Sequence, residues 1–128
     1  MQVRRKVKPR AVVPTEAAEM RAVCQYLDLR QIFYLHVPNE SVRHRSAGTR
    51  AGAPDLLIFD RALHDPECRG VAIELKRTKG GKVSDAQASV LLKLRSRYWQ
   101  TYICYGATEA IKVIDMLWPI REGKGYGE

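Results

Sequence analysis

Apolar residues return along this chain with two different periods, and the switches between them mark its elements. After Pro14-Thr15, Glu16-Ala17-Ala18-Glu19 opens a helix that Thr15 can cap, its acids in the turn the helix dipole favours. Met20, Val23, Cys24 and Leu27 follow at helical spacing and give this helix one apolar face. Residues 32–37 (Ile32-Phe33-Tyr34-Leu35-His36-Val37) are rich in strand-forming side chains up to Pro38-Asn39, which predicts a strand running into a loop. Two further strands, 55–59 and 71–75, flank a connection containing Asp65-Pro66 and Gly70, and together they form a hairpin with a long loop. From Ser84 the period lengthens again, placing Val90, Leu91, Leu94 and Tyr98 on one stripe of a helix. Residues 101–105 make a fourth strand closed by Gly106, and 108–117 a last helix ended by Pro119.

The order helix, three strands, helix, strand, helix predicts an α/β domain. A connection from the third strand through a helix to the fourth implies a crossover within a mixed sheet flanked by helices. With 128 residues there is room for one core, so the reading is a basic arm over 1–13, a single domain over 14–119 and a tail over 120–128. A composition of 45% hydrophobic and 28% charged residues is that of a soluble globule. No apolar run approaches the roughly 20 residues of a membrane span, and the basic start lacks the apolar region of a signal peptide. The expectation is therefore an intracellular, cytoplasmic protein without a membrane partner. Cys24, Cys68 and Cys104 are odd in number and scattered, which argues against a disulfide framework or structural zinc and for inert thiols.

Charge then narrows the partner. Lys and Arg number 22 against 14 Asp and Glu, so the net charge is 22 − 14 = +8, a balance that favours a polyanion such as nucleic acid. The basic residues fall in groups: Arg4, Arg5, Lys6, Lys8 and Arg10 in the arm, Arg43, Arg45 and Arg50 in a Ser/Gly/Thr-containing loop, and Lys76, Arg77, Lys79 and Lys82 around Gly80-Gly81. The last two groups flank acidic motifs, which places Arg43, Arg45, Arg50, Lys79 and Lys82 as phosphate contacts rather than solvated surface.

In the third strand, a period of two sends Val71, Ile73 and Leu75 to one face and Glu74 with Lys76 to the other. Alone, that is a surface ion pair. Gly52-Ala53-Pro54-Asp55 changes the reading, because Asp55 opens the neighbouring strand and approaches Glu74 if the two strands pair. Converging carboxylates repel and resist desolvation, and a divalent cation offsets both costs; hard oxygen donors select Mg²⁺ or Mn²⁺ over zinc. The Lys76 ammonium beside them can stabilise a pentacovalent phosphate, so the set points to metal-assisted phosphodiester hydrolysis. Other motifs are negative: Gly80-Gly81-Lys82 lacks the earlier glycine and following hydroxyl of a P-loop, and His36, His44 and His64 have no ligand spacing. Tyr98, Trp99, Tyr102 and Tyr105 fit packing better than base stacking.

Pro54-Asp55 followed by Glu74-Leu75-Lys76 resembles the PD-(D/E)XK nuclease signature. With Thr15-Glu16, His36-Val37-Pro38-Asn39, Gly52-Ala53-Pro54-Asp55-Leu56 and Ser84-Asp85-Ala86-Gln87 around it, the chain resembles the VRR-NUC branch of that superfamily over roughly residues 15–118. The resemblance implies a restriction-endonuclease-like core of order α-β-β-β-α-β-α and a Mg²⁺- or Mn²⁺-dependent nuclease, often homodimeric, acting on branched DNA such as Holliday junctions in replication and repair. It implies Asp55, Glu74 and the Leu75 carbonyl as metal ligands, Lys76 as the catalytic lysine, and Glu16 and Gln87 as supporting polar groups. The stretch between Asn39 and Gly52 is short for the family. Glu16 also reads as a dipole-favoured first-turn acid. Gln87 also reads as half of a capping box with Ser84. A non-catalytic nucleic-acid-binding module on the same scaffold is the alternative function, and a basic subunit that binds an acidic protein a third.

Overall fold

A computed structural model of the chain describes residues 12–38 and 51–120. It contains α1 (Glu16–Leu29), β1 (Tyr34–His36), β2 (Leu56–Ile58), β3 (Gly70–Lys76), α2 (Asp85–Arg95), β4 (Trp99–Tyr105) and α3 (Ala107–Leu117). The strands form one sheet in the order β1-β2-β3-β4, with β1/β2 and β2/β3 antiparallel and β3/β4 parallel. Each element expected from the hydrophobic pattern is present, and the antiparallel β2/β3 pair is the long-looped hairpin.

The period of two in β3 assigns the layers. Val71, Ile73 and Leu75 bury against Met20, Val23 and Leu27 of α1 and Ala110, Ile114 and Leu117 of α3, while Leu56 and Ile58 extend the same apolar layer across β2. On the other face, Glu74 meets α2 through Gln87, and α2 lies over β4. At the foot of that face Gly70 leaves room for the Trp99 ring, which a Cβ would meet at 2.5 Å. The helix on each face is held at its start. Thr15 accepts the Ala18 N–H, and Ser84 with Gln87 closes a capping box on α2. At α3, Gly106 (φ +95°) supplies no side-chain cap. The carboxylate of Glu19, from α1, takes its place by accepting the Ala107 N–H at 3.4 Å and the Thr78 hydroxyl at 3.1 Å. An acid at a helix N-terminus satisfies orphan donors and complements the dipole.

Boundaries move where pairing decides them. The first strand contracts to Tyr34–His36 because its neighbour β2 offers three partners. The parallel pair β3/β4 lengthens to seven residues each, beginning at Gly70 and Trp99. Tyr98 leaves the helical stripe the pattern gave it: α2 stops at Arg95, and Tyr98 takes a left-handed backbone (φ +68°) that turns the chain into β4. The residue is 57% exposed, and its ring lies under the Arg69 guanidinium, 5.4 Å from the ring centre. All three cysteines are free; Cys68 and Cys104 are buried, and burial pushes the Cys104 thiol up to about 12. Among the described residues no helix is long and apolar enough to cross a membrane.

Candidate active site

Pairing of β2 with β3 ends at Leu56 opposite Ile73, so the next residues outward are Asp55 and Glu74, cross-strand neighbours on the face that carries α2. The Asp55 side chain replaces the strand that stops there. Its Oδ2 accepts the Leu75 N–H at 2.7 Å, a bond a longer β2 would have supplied. Since the Lys76 carbonyl accepts from Gly106 on the β4 side, the Leu75 carbonyl leaves β3 on the Asp55 side. The loop before Asp55 is pressed onto α2. Gly52 (φ +83°) rests on the Ala86–Gln87 peptide, where a Cβ would come within 2.4 Å of the Ala86 carbonyl.

Glu74 is 2% exposed. Its Oε1 accepts the Gln87 Nε2–H at 2.8 Å and faces the Lys76 ammonium at 3.5 Å. Gln87 in turn accepts Lys76 Nζ–H at 2.8 Å and the Ser84 N–H at 2.9 Å on its own Oε1. One amide therefore caps α2, donates to the carboxylate and accepts from the ammonium. The capping box with Ser84 is present, and the same side chain makes separate contacts to Glu74 and Lys76. Glu74 Oε2 is buried and has no hydrogen-bond partner among the described residues. Burial, and then the Asp55 carboxylate, pushes the Glu74 carboxyl up to about 8, with Lys76 opposing. A divalent cation at this carboxyl would act with Lys76 in favour of the ionised form.

Lys79 and Lys82 are exposed on the loop from β3 to α2, where Gly81 folds back to leave only 2.9 Å between the Lys76 Cβ and a Cβ of its own. Glu16 is exposed at the first position of α1, and no hydrogen bond joins it to Asp55 or Glu74. The buried acid of α1 is Glu19, which the motif reading passed over. Its signal was there, since Glu19 stands four and eight residues before Val23 and Leu27 on the apolar stripe. Arg43, Arg45 and Arg50, with Asn39 and the basic arm, lie outside the described residues.

The VRR-NUC domain family model matches residues 9–108. A solved structure of a VRR_NUC domain protein superposes with a TM-score of 0.69 at 22% identity, over 91% of this chain and 98% of that one, a likeness of fold. No curated protein matches the chain. The family match runs through α1, the β2/β3 hairpin and α2, the elements that carry Asp55, Glu74, Lys76 and Gln87. The chain belongs to the VRR-NUC family, a nuclease-type family with the PD-(D/E)XK fold.

Proposed function

We propose that the protein is a metal-dependent DNA endonuclease that hydrolyses phosphodiester bonds, with branched DNA such as a Holliday junction as its substrate class. The observation that carries this reading is the buried, unpartnered Oε2 of Glu74 beside Asp55, in a carboxyl whose proton a cation would displace. Asp55, Glu74 and the Leu75 carbonyl form an all-oxygen donor set suited to Mg²⁺ or Mn²⁺. When bound, such an ion supplies Lewis-acid polarisation of the phosphoryl oxygens. The chain's own residues do the rest. Gln87 holds Glu74 and Lys76 at one atom each, so the ammonium stands fixed beside the acids. As water attacks phosphorus and the ester bond opposite it breaks, the Lys76 ammonium stabilises the negative charge added to the phosphate oxygens. Lys79 and Lys82, on the loop leaving Lys76, hold flanking phosphates. One such centre cuts one strand per encounter, so paired cuts across a junction call for a homodimer.

Cleavage of fluorescent junction, flap, splayed and linear DNA in Mg²⁺ or Mn²⁺ tests the reading. Asp55→Asn and Lys76→Ala each lower the rate at least about 100-fold without altering the circular dichroism spectrum. A readout apart from cleavage is thermal stability. Because a cation must expel the Glu74 proton, Mg²⁺ raises Tm more at pH 9 than at pH 6, and in Asp55→Asn it raises Tm little at either. Cleavage that survives chelator or Lys76→Ala overturns the mechanism, and DNA binding with no cleavage in either metal turns the reading to a non-catalytic binding module.

A further inference from the structure

The outer side of β4 is the long open edge of the sheet among the described residues. Its seven residues, Trp99 to Tyr105, include no charge and no proline, devices that normally protect an exposed edge. The other edge, β1, is three residues long. Above the β4 edge, Ala88, Leu91, Leu92 and Arg95 of α2 and Tyr102 and Ile103 line an apolar groove of about 520 Å³. Leu92 is 63% exposed and Ile103 37%.

The surface of α2 beside that groove has a pattern. Asp85, Ala88, Leu92 and Arg95 are spaced three, four and three residues apart, which puts them on one stripe, and all four are exposed. The stripe is symmetric about position 90. Turned end for end against itself, it sets Asp85 opposite Arg95 and Ala88 opposite Leu92, each pair occurring twice. A two-fold axis perpendicular to the sheet, just beyond the outer edge of β4, turns the stripe in this way and pairs β4 antiparallel with its copy. We propose that the β4 edge and the α2 stripe bind a second copy of this chain, giving one continuous sheet in which two antiparallel α2 helices cover the junction. The charge pattern names the occupant. A chain of net charge +8 repels its copy unless the contact is locally balanced, and this stripe carries one acid and one base in the order that a two-fold makes complementary. An axis perpendicular to the joined sheet leaves both Asp55/Glu74 sites on the same face.

This inference rests on the homodimer within the proposed function, but its test needs neither metal nor DNA. Sedimentation equilibrium of the full chain gives twice the 14.6 kDa chain mass. Leu92→Asp gives the single-chain mass with an unchanged circular dichroism spectrum, since this side chain is exposed in the isolated fold. Asp85→Arg and Arg95→Asp each weaken the dimer, and the two together restore it. A single-chain mass for the wild type overturns the proposal. So does a dimer that persists in Leu92→Asp, a double exchange that fails to restore, or dissociation by Phe33→Asp, on the exposed Phe33–Phe59 side of the sheet, in place of Leu92→Asp. A monomer that still cuts DNA removes the interface and leaves the nuclease reading standing; a dimer that cuts nothing does the reverse.

Discussion

Gln87 concentrates the residue-scale question, because its amide serves local structure and the site together. Replacing it with alanine removes its half of the capping box on α2 and both contacts to Glu74 and Lys76, so a loss of activity there has two explanations. Gln87→Glu separates them. A glutamate three residues after the cap still accepts the Ser84 N–H and completes the capping box. It still accepts from Lys76, but it has no donor for Glu74 and brings a third carboxylate to the site. A hydrogen bond to a charged or buried acid is worth about 1.5–3 kcal/mol, so Gln87→Glu lowers kcat by about 10–100-fold while the helical signal is kept. Steady-state kinetics beside circular dichroism checks this. A variant that matches the wild type would reduce Gln87 to a cap.

At the scale of elements, the site depends on how the Gly52–Asp55 approach meets α2. Gly52 combines a left-handed φ with contact against backbone that cannot yield, whereas Gly80 has a similar φ of +80° and open space around it. Gly80→Ala therefore reports backbone strain alone, roughly 1 kcal/mol. Gly52→Ala adds the collision with the Ala86–Gln87 peptide. It is expected to cost at least ~1 kcal/mol more in thermal unfolding and to lower cleavage about tenfold or more, since the loop it displaces carries Asp55. Equal losses from the two variants would show that the contact is slack. This packing explains how far the sequence could be read. The strands and helices, and the approach of Asp55 to Glu74, follow from local period and from one pairing of neighbouring strands. Glu19 capping α3 and Gly52 seated on α2 join residues brought together only by the finished sheet. Tyr98 fitted the helical period of α2 and was taken from it by the turn into β4, a tertiary demand no local pattern carries.

For the whole molecule, the surplus of eight positive charges acts on DNA through the number of phosphates neutralised, which salt measures directly. Lys79 and Lys82 are the exposed ammonium groups nearest in sequence to Lys76 on the loop into α2. If each neutralises one phosphate of a bound duplex, the slope of log affinity against log salt becomes shallower by about 0.9 per lysine, so Lys79→Ala with Lys82→Ala changes it by about 1.8. The loss is the same for any duplex sequence, because phosphate contacts position DNA without reading it. At saturating DNA the turnover rate stays close to the wild type, which distinguishes these lysines from Lys76, whose ammonium stands among the carboxylates. Anisotropy titrations across a salt series and single-turnover cleavage measure the two quantities. An unchanged slope would return both lysines to ordinary surface charge, while a collapse of turnover equal to that of Lys76→Ala would show that the loop shapes the site itself.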